Sequence, residues 1–143
     1  ISVEMFNEFF KPYYQRYIKL MKDFGIKVFF HSDGAIRPLI PILVELGIDV
    51  LNPIQWRCPG MNLKKLKKTF GKVLCFHGGV DNQKILPFGS PREVEKEVIH
   101  CLDALASDGT GYILSPCHNI QPNTPLENII AMYESAHYYG TTR

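Results

Sequence analysis

An alternation of short apolar runs with helical segments constrains this chain more than any other feature. Four apolar runs are predicted strands: residues 27–31, 49–52, 73–77 and 112–115. Gly25, Gly47 and Gly71 each end a helical segment just before one of these runs. Strands that alternate with helices pair in parallel through right-handed crossovers, so the sequence predicts an α/β fold with four strand–helix units.

The predicted helices carry recognisable start signals. An opening helix over residues 5–24 begins after Ser2, and Pro12 inside it is expected to break or kink the helix. Ser90 and Glu93 form a capping box for a helix ending near residue 106. Thr124 is predicted to repeat that start for a final helix ending near residue 139.

Length leaves two architectures open. The 143 residues, 45% of them hydrophobic, favour one domain with a real core and allow a small open sheet. The same pattern fits half of an eight-stranded barrel, which needs about 250 residues. The start at Ile1 rather than Met favours an excised or processed piece.

Charge and composition exclude several classes of function. A net charge of +2 gives no electrostatic case for nucleic acid or a membrane surface. The basic cluster at residues 64–68 is predicted to be the solvated face of a short helix. No run reaches the ~20 apolar residues of a membrane helix, and no secretion signal precedes the fold. Four scattered cysteines then predict reduced thiols and a cytoplasmic location.

The first candidate site residues follow the first predicted strand. His31 and Asp33 lie two apart, so in an extended chain both side chains face one partner, as metal ligands or as an acid–base pair. The alternative is a structural role, in which Asp33 caps the next helix and His31 is a core residue whose ring nitrogens are hydrogen-bonded. Position favours function, because parallel α/β folds bind ligands at the carboxyl ends of strands.

Cys117 and His118 follow the fourth predicted strand. As sequence neighbours they point in different directions, so one of them is expected to face the site and the choice stays open. Together with His31 and Asp33, either would give three protein ligands and one open position, the arrangement of catalytic zinc.

Candidate substrate-binding residues end the two middle strands. Asn52 and Gln55 follow the second strand. The third ends at His77, where Gly78 and Gly79 would allow close backbone approach to a ligand and Asp81 follows. Neither a P-loop nor a dinucleotide fingerprint is present.

Four motifs in this order carry a resemblance to a known family: residues 31–34 (HSDG), 51–55 (LNPIQ), 77–81 (HGGVD) and 118–128 (HNIQPNTPLEN). The chain resembles the uroporphyrinogen decarboxylase superfamily over essentially its whole length. The resemblance implies the C-terminal half of a (β/α)8 TIM barrel, and residues 1–143 are then one partial domain.

The superfamily has two branches, and the sequence departs from both. Its decarboxylases remove carboxylates from a tetrapyrrole of heme biosynthesis without a cofactor, using a histidine that His118 matches. Its methyltransferases serve corrinoid proteins and bind zinc through His-x-Cys and a later Cys. His31 matches the first of those ligands, but Asp33 stands at the first cysteine and His118 at the last, with Cys117 one residue away.

The resemblance favours a zinc methyltransferase that acts with a corrinoid protein. Its predicted metal ligands are His31, Asp33 and either Cys117 or His118, and Asp33 and His118 are its catalytic residues. A carboxylate at position 33 makes the site harder than one with a thiolate, which disfavours a thiol acceptor and favours one such as tetrahydrofolate. The alternatives are a cofactor-free decarboxylase and a non-catalytic fragment. Half a barrel has two open sheet edges, so self-association is also expected.

Overall fold

The computed structural model describes residues 1–141, and four parallel strands form its sheet. They are β1 (Phe29–His31), β2 (Val50–Asn52), β3 (Cys75–Val80) and β4 (Tyr112–Pro116). The strands lie in sequence order, and each neighbouring pair is parallel. This confirms the predicted α/β fold and its four strand–helix units.

Helices precede, connect and follow these strands. They are α1 (Val3–Met5), the π-helical segment Phe6–Phe10, α2 (Lys11–Asp23), α3 (Ile40–Leu46), α4 (Leu63–Phe70), α5 (Ile85–Phe88), α6 (Pro91–Leu105) and α7 (Leu126–Gly140). The short α5 was not predicted. Within residues 1–141 none of these helices combines the length and the apolar character needed to span a bilayer.

The helix starts agree with the sequence at two of three places. Ser2 Oγ accepts a hydrogen bond from the Met5 amide at 3.2 Å, and Ser90 with Glu93 forms the predicted capping box. Thr124 does not cap α7: Pro125 occupies that position, and no side chain bonds to the first turn. A proline there fixes the backbone of the turn without a capping side chain.

Pro12 changes the opening helix in a different way from the predicted break. The chain stays helical from α1 through α2, with the π-helical segment Phe6–Phe10 between them. Pro12 lies in the first turn of α2, where proline is best tolerated. The irregularity therefore falls in the turn before the proline.

One face of the sheet packs on the helices and the other stays open. Leu51 and Phe76 are partners in the β2–β3 register, are fully buried and belong to the core formed with the helices. A second cluster joins β3, α6 and α7 through side chains such as Val98 and Met132. On the opposite face, Phe29 is 52% exposed. This open face carries the side chains of the site.

Strand β3 runs three residues beyond its predicted end, so Gly78 and Gly79 are strand residues and not loop residues. Both have positive φ, 106° and 104°. A Cβ on Gly78 would lie 3.3 Å from Pro53, and one on Gly79 would lie 3.2 Å from the Cys101 sulfur. These glycines bring β3 against other parts of the chain itself, a different reason from the close approach of a ligand.

Lys67 departs from the solvated face predicted for residues 64–68. Its side chain is only 9% exposed, and Nζ lies 2.8 Å from an Asp108 carboxylate oxygen. It also donates to the Thr110 carbonyl at 2.7 Å. Lys67 thus ties α4 to the loop before β4.

Candidate functional site

Three side chains at the carboxyl ends of β1 and β4 form one group. His31 ends β1, Asp33 follows two residues later, and His118 lies two residues after β4. Each offers an atom within 4.8 Å of the other two, and all three side chains are exposed. The His31 and His118 rings lie 6.0 Å apart, edge to face. We call these residues the metal group.

Hydrogen bonding makes the metal group attractive to a cation. His31 Nδ1 lies 2.6 Å from Asn52 Oδ1, an acceptor, so Nδ1 carries the proton that is donated. In the neutral ring, Nε2 then holds a lone pair that faces Asp33 Oδ2 at 3.2 Å. Two acceptors at that distance need a second proton or a metal ion between them.

The donor set fits zinc. Two imidazole nitrogens and a carboxylate oxygen are ordinary zinc ligands, and three protein ligands leave one position for a substrate. Ligands of tetrahedral zinc lie about 3.4 Å from one another, so the atoms of this group, which lie within 4.8 Å of one another, would have to move closer to hold the ion.

The structure places Cys117 outside the metal group. Its sulfur is buried and donates to the Ile54 carbonyl at 3.4 Å. Burial raises the pKa of Cys117 to about 12, so the thiol stays protonated near neutral pH. The atoms that lie within 4.8 Å of one another include one from His118 and none from Cys117. Of the two neighbours that the sequence left open, the structure therefore brings His118 to the group.

Asn52 connects the metal group to the neighbouring strand. Its side-chain Nδ2 lies 2.7 Å from His77 Nδ1. Burial lowers the pKa of the half-buried His77, which favours its neutral form. One amide therefore bridges two imidazoles on the open face of the sheet.

Gln55 holds the loop that carries Asp33. Its Oε1 accepts a hydrogen bond from the Gly34 amide at 2.5 Å. A cleft of about 530 Å³ opens beside these residues. Its lining is rich in carboxamides and contains neither lysine nor arginine: Asp33, Gly34, Gln55, Asn82, Gln83, His118 and Gln121. Sequence reasoning missed Asn82, Gln83 and Gln121, because loop amides carry no periodic signal.

Asp81, a predicted substrate-binding residue, does not line this cleft, although its neighbours Asn82 and Gln83 do. Its side chain is 6% exposed and accepts from Arg57 and from the amide of Gln83. The Arg57 guanidinium also lies 3.6 Å from Glu97 on α6. We call Arg57, Asp81 and Glu97 the arginine cluster.

Glu97 is the member of the arginine cluster that sequence reasoning did not name, and it is buried on α6. Burial raises its pKa, while a bond from Trp56 Nε1 at 3.1 Å and the charge of Arg57 act in the opposite direction. Val94 and Cys101 lie three residues before and four after Glu97, so the helical period already put this glutamate on the buried face.

Comparison with known proteins gives one family. A sequence model of the family described as uroporphyrinogen decarboxylase (URO-D) matches residues 1–139. Curated relatives of that name include one from Anaeromyxobacter sp. (strain Fw109-5), 31% identical over 94% of this chain. Another, from Anaeromyxobacter dehalogenans (strain 2CP-C), is 29% identical over 98% of it. The chain spans 36% and 38% of the lengths of these two relatives.

A solved structure resembles the fold. A methyltransferase from Methanosarcina mazei superposes with a TM-score of 0.79 at 22% sequence identity. The match covers 97% of this chain and 38% of the other. The fold described above is therefore part of a larger barrel-like architecture in that protein.

Proposed function

Because the chain belongs to the uroporphyrinogen decarboxylase family, we propose that it carries the metal-binding part of a zinc-dependent methyltransferase acting with a corrinoid protein. The observation that carries this proposal is the metal group, whose histidine nitrogens and carboxylate oxygen lie within 4.8 Å of one another. Zinc bound there would act as a Lewis acid on the heteroatom that accepts the methyl group.

Each residue of the metal group has a proposed role. His31 and His118 would hold the ion through ring nitrogens. Asp33 would contribute one carboxylate oxygen, and its second oxygen is assigned the proton that the acceptor loses. Asn52 keeps the His31 proton on Nδ1, which leaves Nε2 free for the metal.

The donor set favours a particular kind of acceptor. An N₂O set is harder than one with thiolates and less suited to activating a soft thiol. We therefore propose a nitrogen or oxygen acceptor, of which tetrahydrofolate is the first to test. The carboxamides of the cleft suit a substrate with many hydrogen-bonding groups. The name of the structural neighbour, a methyltransferase, agrees with this branch of the family.

Decarboxylation of a tetrapyrrole is the second candidate function, and the names of the curated relatives favour it. In that case His118 would bond a substrate carboxylate and no cofactor would be needed. Two observations on this part of the barrel weigh against it, unless the rest of the barrel supplies the basic groups. The cleft lining formed by this chain contains no cationic residue, and the nearby Arg57 is already paired with two carboxylates.

Metal analysis of protein purified without chelator tests the main proposal. We expect about one zinc per chain, and loss of that zinc in a His31→Ala variant. His137→Ala is the matched control, since His137 is an exposed histidine on α7, and it should keep the metal. Protein that stays metal-free after zinc is supplied would overturn the proposal in favour of the decarboxylase.

Activity assays on the longer protein separate the two branches. Incubation with methylcobalamin and tetrahydrofolate should demethylate the corrinoid, visible in its absorbance, and a simple thiol should react more slowly. Uroporphyrinogen III should keep all its carboxylates under the same conditions. Loss of those carboxylates without demethylation would reverse this assignment.

A non-catalytic role for the isolated chain is the third hypothesis. The open edges of β1 and β4 and the exposed Phe29 and Ile113 lead us to propose that residues 1–143 alone self-associate and have no turnover. Sedimentation at micromolar concentration should give more than a monomer, and a clean monomer would contradict this. Measured turnover by the isolated chain would contradict the proposed lack of activity.

The cysteines are all free thiols, which supports the proposed cytoplasmic location.

A further inference from the structure

We propose that Asn52 is a positioning residue that fixes opposite hydrogen-bonding patterns on His31 and His77, so that His77 presents an N–H donor to a bound molecule. The role of His31 in this inference rests on the proposed metal function. The role of His77 does not, because it follows from the hydrogen bonds of the protein alone.

The inference starts from the chemistry of one carboxamide. An asparagine side chain has an oxygen that accepts and a nitrogen that donates, so it treats two identical partners differently. Asn52 Oδ1 lies 2.6 Å from His31 Nδ1, and Asn52 Nδ2 lies 2.7 Å from His77 Nδ1. His31 Nδ1 must therefore donate and His77 Nδ1 must accept.

Each imidazole then shows the opposite property at its other nitrogen. A neutral ring carries one proton, so His31 keeps a lone pair on Nε2 and His77 keeps its proton on Nε2. Burial lowers the pKa of His77, which supports the neutral form. The first ring is prepared to bind a metal and the second to donate a hydrogen bond.

The sheet places both rings on its open face. His31 and Asn52 are partners in the β1–β2 register, and Asn52 reaches across to His77 on β3. The His77 ring packs edge to face against Phe29, 5.0 Å away, which limits its rotation. Among residues 1–141 the structure gives His77 Nε2 no hydrogen-bond partner, so its donor is available to a bound molecule.

The predicted ligand class follows from this polarity. A molecule that covers the open face of the sheet at β3 meets an N–H at His77 and needs an acceptor there, such as a carbonyl or carboxylate oxygen. An amine or another N–H at that point would face a donor and bind more weakly. His77 is therefore assigned as a specificity residue for an oxygen acceptor at the open face of the sheet.

Imidazole ¹⁵N spectroscopy on the metal-free protein tests the inference, and it needs a variant only to assign the signals. The two-bond ¹H–¹⁵N couplings distinguish the two neutral tautomers, and a His77→Gln variant identifies the His77 signals. We expect the proton of His77 on Nε2 at neutral pH. A proton on Nδ1 would overturn the inference.

Two substitutions then separate the effects on the two rings. Asn52→Asp offers only acceptors, so it should keep the His31 proton on Nδ1 and move the His77 proton to Nδ1. Asn52→Leu removes both bonds and should weaken zinc binding by about tenfold. Asn7→Asp, an exposed residue in the π-helical segment, makes the same charge change far from the site and should change neither readout. An unchanged His77 tautomer in folded Asn52→Asp would contradict the role of Asn52.

Zinc titration keeps this inference distinct from the proposed function. Failure to bind zinc, with the His77 proton on Nε2, would remove the metal proposal and leave the donor role of His77 intact. Zinc bound through His31, together with a His77 proton on Nδ1, would support the metal proposal and remove the donor role of His77.

Discussion

The metal group and the arginine cluster both place carboxylates beside nitrogen groups, but they differ in exposure. In the metal group, the side chains of His31 and Asp33 are 50% and 49% exposed. In the arginine cluster, Asp81 and Glu97 are 6% and 8% exposed and share the guanidinium of Arg57. A buried carboxylate cannot stay charged without a partner, so the arginine cluster contains its own cation. The exposed metal group is solvated by water, so it needs no cation from the protein and is accessible to a metal ion from solution.

We therefore expect the arginine cluster to contribute to stability and the metal group to contribute to chemistry. The arginine cluster ties the loop after β2 to α6 and to the end of β3, and so supports Gln55 and the cleft. Changes in the arginine cluster should therefore alter the free energy of unfolding. Changes in the metal group should alter metal binding and leave unfolding almost unchanged.

The largest expected effect is that of Arg57→Ala. It leaves two buried carboxylates without a cation, and the free energy of unfolding should fall by about 3 kcal/mol. Urea denaturation measures this, with Arg92→Ala, an exposed arginine on α6, as a control expected to change stability by less than about 0.5 kcal/mol. Equal stability of the two variants would contradict a structural role for the arginine cluster.

Alanine variants of the neighbours Cys117 and His118 should show separately an effect on stability and an effect on metal binding. His118→Ala should weaken zinc binding by at least about 100-fold, and its unfolding free energy should change by less than about 0.5 kcal/mol. Cys117→Ala should keep the metal and lose about 1 kcal/mol of stability, because a buried side chain is truncated. Isothermal titration with zinc and urea denaturation provide both readouts. The reverse pattern would make Cys117 the ligand.

The Glu97→Gln variant tests the arginine cluster through the pH dependence of the free energy of unfolding. Because the pKa of Glu97 is raised on folding, ionisation costs the folded protein more than the unfolded chain. The two proteins should be equally stable below the ordinary glutamate pKa of about 4.3. The wild type should lose relative stability as pH rises from there through the raised value, and the difference should then stay constant. The variant should therefore be the more stable of the two proteins at neutral pH. A gain confined to acid pH would refute this sign.

The smallest expected effect concerns the Lys67–Asp108 pair, which lies between the two clusters in exposure. Lys67 is 9% exposed but Asp108 is 56% exposed, so water still screens the pair. Lys67→Met should cost less than about 1 kcal/mol, and the exposed neighbour Lys68→Met should cost nothing measurable by urea denaturation. Equal stability of the two variants would restore the solvated-face interpretation of both lysines.

Several parts of the fold were predictable because they depend on local patterns. Apolar runs and helical periods gave four parallel strands with helices between them, and the Ser90–Glu93 capping box was read from residue spacing. Errors fell where distant contacts decide. The extension of β3 through Gly78 and Gly79 depends on packing against Pro53 and Cys101, and the burial of Lys67 depends on the loop before β4.

The candidate site divides in the same way. His31 and Asp33 were identifiable because a strand end and a two-residue spacing are local features. Parallel pairing puts the ends of all four strands on one side of the sheet, but β1 and β4 are its opposite edges, so the approach of His31 and Asp33 to His118 depended on the tertiary structure. Glu97 was readable from the helical period, but its partners Trp56 and Arg57 in the loop after β2 were not. The amide-rich lining of the cleft comes from loops without periodicity.

By itself the sequence determined the order of the elements, the family and the strand ends at which His31, Asp33 and His118 occur. Periodicity, capping and glycine stops each depend on residues that are close in sequence, so they can be recognised from the sequence alone. Only the tertiary structure decided that Cys117 is buried while His118 faces His31, and that Asn52 bridges two histidines. Those facts depend on register and on side-chain burial between segments far apart in sequence, and no local pattern encodes such distances.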